Sequence, residues 1–247
     1  MGVIGKIMKL FLGRLINKFL SLFNAKIVPR IIPKEDFSDI FDENMPENEI
    51  VYLNKLSQLS ENIRGMINHR AGEELFSLAY MQTLKGDVLE VGSFQGKSTF
   101  FLGHAVALSG NGKMFAVDHF KGNLGAEHYY KVEKDDLSDL EAGFRKNIKR
   151  AGLNKFVTLI NKPNHIAVSD IEDNSVRLLF IDGDHTADGI RKDLRLFMPK
   201  LKSGAIIAFD DYENDFGGLV SVVNEFISKG NCKRKYLLNK TLVVELN

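Results

Sequence analysis

The residues best placed to do chemistry lie in one short stretch, Gly86-Asp-Val-Leu-Glu-Val-Gly-Ser-Phe-Gln-Gly-Lys-Ser-Thr99. Val88 to Val91 form an apolar run interrupted only by Glu90. A turn from Gly92 to Gly96 follows, and a helix-forming segment begins at Lys97. A strand, a glycine turn and a helix N-terminus together present backbone N–H groups to an anionic or hydroxyl-rich ligand. The ending Gly96-Lys97-Ser98-Thr99 imitates a phosphate-binding loop, with Ile181-Asp182 as the acid on its Mg²⁺ side. That loop needs four residues between its glycines, and only Ser93, Phe94 and Gln95 stand here. The Gly-x-Gly-x-x-Gly of dinucleotide-binding folds is also absent. The next apolar run, Lys113-Met-Phe-Ala-Val-Asp118, ends on an acid. A carboxylate there can accept both hydroxyls of a ribose and would repel a phosphate, which favours a nucleoside ligand without one.

A second constellation is acidic. Val176-Arg-Leu-Leu-Phe-Ile-Asp-Gly-Asp-His185 is an apolar run that breaks into polar residues, and Gly204-Ala-Ile-Ile-Ala-Phe-Asp-Asp-Tyr212 repeats the plan. Ligands of open α/β sheets bind beyond the carboxyl ends of the strands, so Glu90, Asp118, Asp182, Asp210 and Asp211 are expected along one edge. Carboxylates gathered in one cleft repel unless a proton or cation intervenes, and oxygen donors suit Mg²⁺, Mn²⁺ or Ca²⁺ better than zinc. His185, three residues after Asp182, could take a proton near neutral pH, with Asp182 as the competing base.

The elements that must position these groups alternate. Strands are expected at 87–91, 113–118, 156–160, 176–182 and 204–210, with helices at 97–109, 136–151, 165–171, 187–200 and 217–228. Runs near 234–238 and 241–246, separated by Asn239 and Lys240, should form an antiparallel hairpin. Strands alternating with helices imply parallel pairing and right-handed crossovers. The fold class is therefore α/β, a Rossmann-like, doubly wound, mostly parallel seven-stranded sheet closed by a C-terminal antiparallel hairpin. Residues 49–84 read as helical.

The Glu90-Val-Gly-Ser-Phe-Gln-Gly96 turn, followed by Asp118 at the end of the next strand, resembles the first two motifs of class I S-adenosylmethionine-dependent methyltransferases. The resemblance implies that Glu90, Gly92, Ser93, Gly96 and Ser98 hold the methionine end of the cofactor. It further implies that Asp118 takes the ribose, with His119 beside it, and that Asn164 contacts adenine. Relatives often carry a Gly-Asp-Ser or Gly-Ser turn where this chain has Asn161-Lys-Pro-Asn164. The Ile-Asp-Gly-Asp-His and Phe-Asp-Asp-Tyr pair is similar to the catechol and macrocin type of O-methyltransferase acting on small molecules or sugars. That likeness implies a divalent metal, Mg²⁺ or a similar ion, on Asp182, Asp210 and Asp211. It also puts His185 where catechol-type enzymes use a lysine base. The resemblance covers residues 65–247, and 26–64 read as a proline-marked linker and helical lead-in. The segment 119–135, with Tyr129, Tyr130 and Lys131, is long enough for a lid over the substrate or for a solvated loop.

Residues 1–25 stand apart. Their only charges are Lys6, Lys9, Arg14 and Lys18, and a helical wheel collects Ile4, Met8, Phe11, Leu15 and Phe19 on one face. A basic, acid-free amphipathic helix suits a membrane surface, and packing on the domain or on a second subunit of a homo-oligomer is the alternative. At 247 residues, 44% hydrophobic and with a net charge of +1, the chain is long enough for one large α/β domain and has no excess of basic charge to attract nucleic acid. One cysteine, Cys232, precludes an internal disulfide and suits a reducing compartment, so a cytoplasmic location is expected, at a membrane face if the helix binds one. Two other functions stay open on residues alone: a P-loop-type nucleotide hydrolase, and a catalytically silent methyltransferase-fold scaffold recruited to a membrane.

Overall fold

The computed structural model describes residues 47–122, 139–213 and 217–247. Residues 1–25, expected as an amphipathic helix, and residues 123–138 with Tyr129, Tyr130 and Lys131 lie outside the described residues. Contacts group Lys55–Asn247 into one compact unit.

Two helices lead in, α1 (Glu47–Ser60) and α2 (His69–Met81). The stretch 49–84 reads as helical from sequence, and the structure divides it into these two helices. Turns closed by N–H groups of Glu61, Asn62 and Ile63 end α1, and Asn68 restarts the chain by accepting from the Ala71 N–H as a side-chain cap. The break matters because Gly65, Met66 and Ile67 then become a loop beside the glycine turn.

The core alternates as the apolar runs require: β1 (Asp87–Val91), α3 (Lys97–Ser109), β2 (Met114–Val117), α4 (Leu140–Arg150), β3 (Val157–Ile160), the short α5 (Asn164–Ala167), β4 (Val176–Ile181), α6 (Ala187–Phe197), β5 (Leu201–Phe209), α7 (Gly217–Ser228), β6 (Cys232–Leu238) and β7 (Thr241–Leu246). Single 3₁₀ turns at Val168–Asp170 and Met198–Lys200 replace the ends expected of α5 and α6. The seven strands are ordered β3-β2-β1-β4-β5-β7-β6. β1 to β5 pair in parallel, and β7 runs antiparallel to both β5 and β6. The order reverses between β1 and β4, which opens the ligand crevice of this architecture at their carboxyl ends.

All six residues of β4 are buried, as expected of a strand covered on both faces. Each fully buried Leu, Ile or Phe contributes roughly 1.5–3 kcal/mol. One of the six is Arg177, fully enclosed. Its guanidinium donates to the carbonyls of Ala79 (2.8 Å), Gly86 (2.9 Å) and Asn111 (3.2 Å) and to Gln82 Oε1 (3.1 Å). Burial pushes its pKa down to about 10, opposed by Asp87. Arg177 thereby ties the end of α2 to the amino end of the sheet, opposite the crevice. Among the described residues, no helix is long and apolar enough to cross a membrane.

Candidate active site

The site is built on the glycine turn after β1. Gly92 has φ +89°, and a Cβ there would lie 2.3 Å from the Asp182 carbonyl oxygen, so only glycine lets the end of β1 pass so close to the end of β4. Gly96, also left-handed at φ +85°, caps α3. Three non-glycine residues with positive φ stand just beyond the carboxyl ends of parallel strands: Phe94 (45°) after β1, Phe120 (56°) after β2 and Asp211 (49°) after β5. Such conformations cost of order 1 kcal/mol or more each and gather where ligands bind.

Glu90 is completely buried beneath this turn. The Thr99 hydroxyl donates to its Oε2. Its Oε1 has no hydrogen-bond partner among the described residues, nor has the buried Ser93 hydroxyl. Burial pushes the Glu90 carboxyl up to about 7, opposed chiefly by the nearby hydroxyls of Ser98 and Thr99. Unsatisfied buried polar atoms of this kind suit a polar ligand above the turn. Gly65, Met66, Phe94, Lys97 and Asp118 line a cleft over it.

Asp118 does more than the sequence suggested. Its Oδ2 accepts the Ser93 and Phe94 N–H groups at 2.9 and 2.8 Å, and its Oδ1 accepts the Phe120 N–H at 2.7 Å. The carboxylate therefore holds the turn's shape. About four lone-pair sites belong to a carboxylate, so one on Oδ1 is left for a ribose hydroxyl rather than a pair. His119 accepts the Lys121 N–H through Nδ1 at 3.0 Å. It lines a second cavity of about 240 Å³ that runs from Gly92 and Asp118 to Asn164, Asp184 and Asp193.

On the other side of Gly92 lies the acid cluster. Asp182 is pushed well above the ordinary carboxylate range by burial, and then by Asp210, Glu90, Asp211 and Asp118. Asp210 is raised by burial as well, although Thr241 Oγ donates to its Oδ1 at 2.7 Å. His185 Nε2 lies 3.7 Å from Asp182 Oδ1, and its Nδ1 lies 3.9 Å from Asp211 Oδ2. Lys240, on the β6–β7 turn, approaches Asp211 Oδ1 to 3.9 Å. The structure thus brings Glu90, Asp118, Asp182, Asp210 and Asp211 to one edge. Among the described residues, however, no three His, Cys, Asp or Glu side chains converge in a group that could hold a metal ion as they stand.

Thr99, Lys240, Asp193 and the Gly65–Ile67 loop are neighbours that sequence reasoning missed. Asn68, a capping residue three positions before Ala71, was the signal that could have exposed that loop.

Residues 89–212, half of the chain, match the family model described as a methyltransferase domain. An uncharacterized protein, y4gI, of Sinorhizobium fredii (strain NBRC 101917 / NGR234) is 30% identical over 132 residues, 51% of this chain and 13% of that one. The chain thus spans only a small part of that relative's length. Among solved structures, the O-methyltransferase NovP superposes with a TM-score of 0.68 at 14% identity, covering 80% of this chain and 99% of that one. An O-methyltransferase from Bacillus cereus in complex with S-adenosylhomocysteine does so with a TM-score of 0.55 at 14% identity, covering 84% and 95%. Nothing in these likenesses supports a P-loop hydrolase or a silent scaffold. The chain belongs to the methyltransferase-domain family, and it shares the fold of solved O-methyltransferases.

Proposed function

We propose that the enzyme methylates a hydroxyl oxygen of a small molecule or sugar, with Asp182 and His185 handling the acceptor's proton. The observation that carries this reading is the pairing of Asp182, its carboxyl held well above the ordinary range by burial, with His185 at 3.7 Å, beside the turn after β1. Hydroxyl acceptors need a proton removed as they attack, and a carboxylate or imidazole held within reach can take it. The methyl donor is already activated as a sulfonium, so the protein has to deprotonate the acceptor and align it with the S–CH₃ bond. Glu90, Gly92, Ser93, Gly96 and Ser98 would hold the methionine end, Asp118 the ribose and Asn164 the adenine. The O-methyltransferase neighbours add support by analogy of fold.

A divalent cation is the finer part of the proposal. Asp182, Asp210 and Asp211 are oxygen donors, the kind a hard cation takes, and burial together with mutual repulsion leaves Asp182 in need of compensation. Asp182, Asp210 and Asp211 are the side chains that would hold such an ion, and it would supply Lewis acidity toward the acceptor oxygen. If residues 1–25 lie on a membrane surface, a saccharide on a lipid carrier becomes a fitting acceptor.

Two measurements test the reading. S-adenosylhomocysteine should raise the melting temperature while ATP–Mg²⁺ does not, because only a ligand of the native state stabilises it. A screen of hydroxylated acceptors with labelled methyl donor should give O-methyl products. Label appearing on nitrogen or carbon alone would overturn the acceptor assignment.

A further inference from the structure

The second cavity contains a polar pair with a definite direction. Asn164 opens α5 directly after Pro163, whose φ of −58° and ψ of 145° set its entry. Asp193 lies on α6 and is 2% exposed. The Asn164 amide donates through Nδ2 to Asp193 Oδ1 at 2.6 Å. Asp193 Oδ2 finds no partner among the described residues. Both residues line the cavity that begins at Gly92 and Asp118.

The chemistry of the pair removes the usual ambiguity of an amide. An ionised carboxylate can only accept, so the Asn164 amide must turn its NH₂ toward Asp193. Its carbonyl Oδ1 is then turned away from Asp193 and offered as an acceptor. A base that presents an amino group meets a complementary partner there, whereas a base that presents a carbonyl meets another acceptor. An amide free to rotate would serve both.

We propose that Asp193 is a positioning residue for base recognition, fixing the Asn164 amide so that its carbonyl oxygen reads the exocyclic amino group of the cofactor's adenine. This rests on the reading that S-adenosylmethionine occupies the crevice with its base in the second cavity. Asp193 does not touch the cofactor in this arrangement. It acts through Asn164, and it makes the site selective for an adenosyl over an inosyl group.

The test is calorimetric, with S-adenosylhomocysteine and S-inosylhomocysteine titrated into the full chain and its variants. The native protein should prefer the adenosyl ligand by about tenfold, the worth of one oriented hydrogen bond set against a repulsive one. Asp193→Asn, nearly isosteric and able to donate or accept, should bring the two affinities to within about threefold by freeing the amide to turn. Asn164→Ala should do the same, and the double variant should lose no further selectivity. An unchanged preference in Asp193→Asn would overturn the proposal. So would a loss of affinity equal for both ligands, since a merely structural role would produce that. If Asp193→Asn does not fold, Asn164→Ala decides alone by the same ratio. Failure of the native protein to bind either ligand would overturn the cofactor reading itself, a result distinct from binding without selectivity.

Discussion

Gly92 and Asp182 are in backbone contact across the point where the sheet reverses its order. A Cβ on Gly92 would stand 2.3 Å from the Asp182 carbonyl oxygen and 2.6 Å from its carbonyl carbon. The Asp182 N–H meanwhile donates to the Val91 carbonyl at 2.9 Å. The cofactor turn and the candidate base are therefore one rigid unit, and a shift in either moves the other.

Gly92→Ala should consequently damage both functions at once. It adds a clash with backbone, which cannot rotate aside, to a left-handed φ, and such changes cost on the order of 2–4 kcal/mol. The melting temperature should fall, and S-adenosylhomocysteine should no longer raise it. Ala at an open glycine at the far end of α3, Gly110→Ala, carries the unfavourable φ of +61° without the clash, since nothing lies within 4 Å of its Cβ. It should keep ligand binding. Full binding by Gly92→Ala would show that the close approach is dispensable.

The buried Glu90 predicts how stability depends on pH. Its carboxyl rises from an ordinary 4.5 to about 7 in the folded state. The protonated form is thus favoured by folding, and the stability it contributes is full below the unfolded value and lost as pH rises through about 7. The difference is on the order of 3 kcal/mol. Cofactor-free protein should therefore lose thermal stability between about pH 4.5 and 7, and Glu90→Gln, neutral throughout, should flatten that part of the profile. A native profile identical to that of Glu90→Gln would show that Glu90 is already compensated.

Removal of His185 or Asp182 should separate chemistry from cofactor binding. His185→Ala and Asp182→Asn are each expected to lower turnover by about 10²–10⁴-fold, the usual worth of a positioned proton acceptor. S-adenosylhomocysteine affinity should change far less in His185→Ala. Isothermal titration beside single-turnover rates would distinguish the two, and a parallel loss of both quantities would mean that His185 supports the fold of the site instead.

Chelation tests the cation. If Asp182, Asp210 and Asp211 share a divalent ion during turnover, EDTA should abolish methyl transfer, and Mg²⁺ or Mn²⁺ should restore it. Asp211→Asn should weaken that rescue, shifting the metal concentration for half-maximal rate upward. Unaltered turnover after exhaustive chelation, with His185→Ala inactive, would leave the histidine as the sole activating group.

For the N-terminal segment, the measurement is co-sedimentation with vesicles. The four basic residues predict binding to anionic vesicles, released by high salt and abolished by removing residues 1–25. Indifference to vesicle charge would remove the electrostatic part of that reading.

How far these assignments could be read from residue order depends on the range of the forces involved. The strand, glycine turn and helix around Gly92 were legible because local geometry demands them, and β1, α3, α7 and β7 lie at the residues expected. The parallel order of the sheet followed from the alternation of apolar runs, and the hairpin from the two-residue break at Asn239-Lys240. The meeting of Glu90, Asp118 and Asp182 followed in turn, because strand ends in a parallel sheet share an edge. What residue order left open are contacts between side chains far apart in the chain. Nothing near Asp118 announces that two of its bonds go to the turn at Ser93 and Phe94. Nothing near Asn164 announces Asp193, and Arg177 reads as a charge in an apolar strand until its carbonyl partners on three other segments are seen. The distances among Asp182, Asp210, Asp211 and His185 belong to this second kind. Periodicity and turn chemistry act over a few neighbouring residues and are written into the sequence. Hydrogen bonding and electrostatic repulsion in the crevice depend on separations of an ångström, which the packing of the whole sheet decides.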